Sequence, residues 1–210
     1  MSASCEPNTF LLTHPSFVAL SDISSFLEVN QPWIERIIEK TLPIRTINLG
    51  DSFSFLGKKY TLKHDPLRKN GAWKQRDDLI VGAGVINFNK TVEDFLRKES
   101  YDFFEKESEY YSEKINLGFE KIVIRDGRSR WGSCSSSGTL SYSWRLGFAP
   151  IEIARYVCAH EVAHLKEMNH SSKFWTVVSS LDPLYVEHRK WLKKDGEKLK
   201  RIHFSRANES

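Results

Sequence analysis

The chain has 210 residues, 40% hydrophobic and 28% charged, the proportions expected of a soluble globular protein of about one domain. Its formal net charge of +4 excludes a surface built throughout for nucleic acid. It has no basic start leading into an apolar stretch and no apolar run of about 18 residues, so neither a secretory leader nor a membrane span is expected.

Met1 to about Asp22 carries few regular signals and reads as an N-terminal arm, taken as residues 1–25. A variable α/β part, residues 26–120, follows. Gln31–Leu42 reads as a short helix, with Pro32 early and Trp33, Ile34, Ile37, Ile38 and Leu42 apolar. Arg45–Leu49, Ser52–Leu56 and Lys59–Lys63 alternate as short strands, with turns at Gly50-Asp51 and Gly57. Leu79–Val81 and Gly84–Asn87 suggest a hairpin. Thr91–Ile115 reads as a long helix, with Thr91 as N-cap and Asp94 behind it. Residues 121–210 then form the core that carries the chemistry, expected to be one compact unit with 26–120. Lys121–Arg125 is a strand, Asp126–Leu146 a turn-rich hairpin, and Leu140, Tyr142, Trp144 and Leu146 alternate with polar neighbours. A helix follows Pro150, another covers Ser172–Ser180, and a last one opens at Asp182-Pro183. The fold class is α+β, a small antiparallel or mixed sheet against helices.

Cys5, Cys134 and Cys158 are odd in number and widely spaced, which argues against a disulfide scaffold and for a reducing, cytoplasmic setting. Cys158 reads as core filler. Cys134 lies in a Gly/Ser-rich turn and reads as packing or bonding locally.

The helix after Pro150 holds His160-Glu161-Val162-Ala163-His164, with His170 six residues on. One helical turn separates His160 from His164, so both imidazoles leave on one face. Zinc takes neutral imidazoles at about 2.0–2.1 Å and keeps a fourth position open for water in catalytic sites. Glu161 is then placed to take a proton from that water. The bare pattern also occurs as ordinary polar residues on a helix surface. Here it follows apolar Ile153, Tyr156 and Val157, and burying His and Glu without a partner is costly. Continued as a helix, the chain would carry His170 about 9 Å beyond His164 along the axis. The helix must therefore break between Leu165 and Asn169, with Asn169 as the residue that tolerates a left-handed conformation. Glu187 is the rival third ligand.

Arg130-Trp131-Gly132-Ser133-Cys134-Ser135, Gly138-Thr139-Leu140-Ser141-Tyr142-Ser143-Trp144-Arg145-Leu146, His160 through Ser171, and Phe174-Trp175 together resemble the YgjP-like metallopeptidase family, a relative of SprT-like zinc peptidases. The resemblance runs from about Arg125 to Trp175. It implies a zincin-like fold with a sheet edge beside the active-site helix. It also implies Zn2+ on His160, His164 and His170, and Glu161 as catalytic acid/base. Val162 replaces the usual leucine, and Ser143 stands where the family usually has asparagine. A metzincin reading fails, because Glu167 occupies the required Gly position and no methionine follows His170.

The function so implied is zinc-dependent hydrolysis of peptide bonds in a peptide or protein substrate. Arg128, Arg130, Tyr156, Tyr185 and His188 are candidates for stabilising the oxyanion. The hairpin strand Ser141–Arg145 is either an edge that takes an extended peptide or an interior strand. Two other readings stand beside this one. In one, the protein is a zinc-stabilised binding or accessory protein. In the other it is a peptidase acting on nucleic-acid-bound proteins, supported locally by the basic run Arg189–Arg201. Nothing in the sequence sets the oligomeric state.

Overall fold

Regular structure begins earlier than the sequence suggests. In the computed structural model, Ser2–Glu6 (β1) pairs antiparallel with Thr9–Thr13 (β2), and Leu20–Val29 (α1) follows. The expectation of an arm with few elements is thus corrected: Phe10, Leu11 and Leu12 supply the strand propensity that its polar neighbours mask. The structure describes residues 2–6, 9–13, 15, 17–34, 45–68, 70–127 and 130–206. Residues 31–34 are helical, and the rest of the expected helix to Leu42 lies outside the described residues. The chain divides into two units, Met1–Thr46 and Ile47–Ser210.

The second unit is built on a four-stranded sheet, a three-stranded sheet, a two-stranded pair and a long helix shared by the two larger sheets. Arg45–Asn48 (β3) enters it, followed by Ser52–Phe55 (β4), Lys58–Asp65 (β5), Ala72–Gln75 (β6) and Asp78–Gly82 (β7). The last four form one sheet in the order β4-β5-β7-β6. Leu56 and Gly57 both have positive φ, 50° and 72°, the backbone of a tight hairpin turn whose twist matches its strands. The expected hairpin of Leu79–Val81 with Gly84–Asn87 is corrected: β7 pairs antiparallel with β6 and parallel with β5. Residues 83–86 instead lead into the long helix Phe88–Lys114 (α2). Its cap is Asn87, whose Oδ1 accepts from Lys90 N at 2.9 Å, and not Thr91, because burial of Phe88 starts the helix three residues earlier.

α2 buries a row spaced by fours, Phe88, Val92, Leu96, Ser100, Phe104 and Ser108. Its first half closes the four-stranded sheet through Val92 and Leu96. Its second half packs on the catalytic-motif core through Phe104 and Tyr111. Tyr101 and Tyr110 on its other side are exposed.

The second sheet is mixed: Lys121–Arg125 (β8), Gly132–Cys134 (β9) and Thr139–Ser143 (β10), in the order β8-β10-β9. β10 runs parallel to β8 and antiparallel to β9, so it is interior and the edge strands are β8 and β9. That settles the alternative left open for the hairpin. Tyr142 of β10 is 1% exposed, stacks on Phe104 at 4.6 Å and 11°, and shares a 2.8 Å hydrogen bond with Ser108. Its hydroxyl is therefore satisfied inside the core.

A 3₁₀ turn, Trp144–Phe148, leads to Ile151–Ala163 (α3), with Pro150 at the N-cap. Ser172–Leu181 (α4), Tyr185–Leu199 (α5) and Ile202–Ser205 (β11) complete the unit, and β11 pairs with β3. Buried Arg145 grips Asp126 with Nε and Nη2 at 2.7 and 3.2 Å and donates Nη1 to the Ile202 carbonyl at 2.9 Å. Burial alone would raise the Asp126 carboxyl, but the bonds and charge of Arg145, with Arg97 beside it, hold it below the usual range. The α+β class and the central position of the motif helix are as expected. Cys158 is fully buried core, and Cys134 donates weakly to the Ser135 carbonyl.

Gly147 in the 3₁₀ turn has no room for a side chain, since a Cβ there would collide with the ring of buried Phe55. Gly147→Ala is expected to cost about 1–3 kcal/mol through overpacking. The readout is a lower urea midpoint at unchanged slope; an unmoved midpoint would mean that the Phe55 ring yields freely.

Candidate metal and catalytic site

Helix α3 delivers two imidazoles and then stops. Ala163 is its last residue, and the chain turns through bonds from Lys166 N and Glu167 N to the Ala163 carbonyl at 3.1 and 3.0 Å. The break comes earlier than the sequence suggested, and Asn169 does not adopt positive φ. Its Oδ1 instead accepts from Ser171 N at 3.1 Å, and Ser171 caps α4 by accepting from Phe174 N. This compact turn brings His170 back over the helix end. The ring centroids lie 5.1 Å apart for His160 and His164, 5.0 Å for His160 and His170, and 4.7 Å for His164 and His170. One nitrogen from each lies within 4.8 Å of the others. The fully buried Phe174 ring packs against all three, at 4.9, 4.4 and 4.8 Å. Glu187 is exposed and does not belong to this cluster.

The ring nitrogens have defined tasks. His164 Nδ1 sits 2.9 Å from the Glu167 carbonyl, which can only accept. Nδ1 therefore carries the proton and Nε2 keeps its lone pair. His160 and His170 present Nε2 to Nε2 at 3.1 Å. His160 Nδ1 is buried and has no hydrogen-bond partner among the described residues. Burial pushes His160 down to about 3, helped by the neighbouring His164, His170 and Arg189 charges. Burial also lowers His164, against its bond to Glu167. Both rings are thus neutral near pH 7, the form that binds metal. Three converging imidazoles, two of them meeting Nε2 to Nε2, fit the donor set of a divalent first-row ion.

Glu161 sits in a slot walled by β9. It is 5% exposed, and burial pushes it up to about 8 against the pull of the Arg130 charge. The slot exists because residue 132 is glycine. A Cβ at Gly132 would lie 2.6 Å from Glu161 Oε1 and 2.7 Å from its Cγ. Gly132 is held in register opposite Tyr142, the ring stacked on Phe104. Sequence reading quoted Gly132 within its motif but gave it no task. A lone glycine inside a strand is nevertheless the ordinary mark of close approach.

The other candidates fall around this centre. Tyr156 lies 5.9 Å from His160 ring to ring, and burial pushes its phenol up to about 12, so it stays protonated. His188 stands 6.2 Å from Tyr156 and bonds Asp182 at 2.7 Å, a pairing the sequence did not reveal. Tyr185 stacks on Trp175, which lies 5.8 and 5.7 Å from the His160 and His170 rings and carries the Arg189 guanidinium over its face. Arg130 acts on Glu161 through its charge, and Arg128 lies outside the described residues.

No curated protein matches the chain. Two solved structures resemble it. One is the metallopeptidase zymogen abylysin of Pyrococcus abyssi, 26% identical, with TM-score 0.40 over 44% of this chain and 95% of that one. The other is the metallopeptidase zymogen jannalysin of Methanocaldococcus jannaschii, 18% identical, with TM-score 0.40 and the same two coverages. The model of the YgjP-like metallopeptidase domain matches residues 1–195, far beyond the Arg125–Trp175 stretch that carries the motifs. The chain belongs to the YgjP-like metallopeptidase family.

Proposed function

We propose that this metallopeptidase works with zinc held by His160, His164 and His170, and with Glu161 as the group that moves the proton. The observation that carries the reading is the convergence of the three imidazoles beside a buried carboxylate seated against Gly132. When bound, zinc supplies Lewis acidity towards water and the scissile carbonyl. Glu161 takes a proton from the attacking water as the new C–O bond forms, and returns it to the amine nitrogen as the C–N bond breaks. Tyr156, protonated and beside His160, can donate to the developing oxyanion but cannot add charge of its own.

β9 is one of the two edges of its sheet, the one beside Glu161, and among the described residues nothing pairs with its outer side. An extended peptide added there gains main-chain hydrogen bonds next to Glu161. Among the described residues no helix is long and apolar enough to cross a membrane. A cytoplasmic, reducing setting belongs to the same proposal and rests on the free thiols of Cys134 and Cys158. The nucleic-acid reading gains little: within the basic run, Lys198 pairs with Asp195 and Lys200 with Glu197.

Elemental analysis of the purified chain should find near-stoichiometric zinc, with a clear loss in His170→Ala. No zinc after reconstitution would sink the reading. Glu161→Gln should keep its metal and lose turnover on the order of 10²–10⁴-fold; unchanged turnover removes Glu161 from the mechanism. Gly132→Ala should displace the carboxylate, lower kcat about 10²-fold and leave zinc content intact. A normal kcat in that variant would mean that the slot is not what positions Glu161.

A further inference from the structure

The residues of β9 and β10 divide cleanly between two faces. Strand side chains alternate. Gly132 faces Glu161, and Leu140 and Tyr142 enter the core around α3. Ser133, Ser141 and Ser143 therefore belong to the opposite face, where Ser133 is in register with Ser141 and Ser143 with Arg125. Here the structure has a cavity of about 190 Å³ whose lining includes Arg125, Arg130, Trp131, Ser133, Ser141 and Ser143, with Gly127, Gly132 and Tyr142 also bordering it. Liquid water occupies about 30 Å³ per molecule, so there is room for the polar end of a side chain.

The chemistry of the lining is one-sided. Ser143 is 2% exposed, and its Oγ has no hydrogen-bond partner among the described residues, although a buried hydroxyl without one is disfavoured. Arg125 makes a single long bond, Nε to Ser141 Oγ at 3.4 Å, and Arg130 has no ion-pair partner among the described residues. Asp126, the nearest carboxylate in sequence, is taken by Arg145 and Arg97 at 2.7 and 3.6 Å. Two exposed arginines and an orphaned donor thus border a cavity beside which Asp126 is already paired, and Arg130 also feels the Glu161 carboxyl behind Gly132. Trp131 supplies an apolar wall for the stem of an entering side chain.

The geometry points to a subsite for a carboxylate side chain, Asp or Glu, on a peptide lying along β9. This rests on the peptidase reading only for how the peptide arrives: a strand added to β9 sends alternate side chains to the two faces, one towards the histidines and the next into the cavity. Ser143 Oγ and the Arg125 guanidinium donate to the carboxylate. The isosteric amide gains no charge-assisted bond and places its NH₂ against donors.

The test separates binding from hydrolysis by using the full chain carrying Glu161→Gln. Two fluorescein-labelled peptide pools, identical except for a fixed central Glu or Gln, are titrated by anisotropy. The Glu pool should bind on the order of tenfold more tightly. Arg125→Gln should bring the ratio close to one, Arg125→Lys should restore part of it, and Ser143→Ala, which changes no charge, should lower it several-fold. Lys121→Gln, the same charge change elsewhere on β8, should leave the ratio intact. Equal binding of the pools, no binding of either, or a preference that survives both Arg125→Gln and Ser143→Ala overturns the subsite. A preference seen in a protein whose Glu161 parent hydrolyses nothing leaves the subsite standing and removes the peptidase mechanism.

Discussion

One close approach governs the arrangement around α3: the Glu161 carboxylate lies where any side chain at position 132 would be. A buried carboxylate is unfavourable, and it is tolerated here because strand, helix and neighbouring charge fix it in one place. That contact requires β9 to sit against α3 with little latitude. The register of β9 on β10 meets this need, and β10 is in turn anchored through Tyr142 to Phe104 and Ser108 of α2. The long helix is thus a structural part of the site although none of its residues reaches it. Its serines permit this: Ser100 and Ser108 are fully buried and let α2 lie close to its neighbours.

The histidine cluster obeys a complementary constraint. Its members come from one helix and the turn just after it, so a short piece of chain sets their separations. Phe174 fills the space beneath all three rings and limits their rotation. The Glu167 carbonyl fixes the tautomer of His164. The same turn that ends α3 therefore supplies both the return of His170 and a hydrogen bond that orients a ring.

Local features were legible in the sequence, and features made by distant contacts were not. The spacing of His160 and His164 reports directly on a helical face, and the reach argument for His170 needs only the rise of a helix. β8 is visible as the apolar β-branched run Ile122-Val123-Ile124, and β10 because apolar and polar residues alternate there. β6 was missed because Ala72–Gln75 is at best half-buried and shows no alternation. Asn87 was passed over as a cap because burial of Phe88, a tertiary effect, decides where α2 begins. Asn169 was assigned a left-handed backbone from its residue type, whereas its side chain satisfies the turn instead. The interior place of β10, the slot at Gly132 and the pairing of His188 with Asp182 depend on which strands and helices become neighbours. No single stretch of sequence carries that information.

The pairing of β11 with β3 has a consequence in time. Ile202 and Phe204 are buried in the same core as Ile47 and Phe53, and Arg145 reaches the Ile202 carbonyl. Partners some 155 residues apart must meet before that core closes, and contacts of such separation form late. In chain order α3 and its histidines precede this strand by some forty residues. A nascent chain still short of residue 202 thus carries the histidine turn before the core that β11 completes can close.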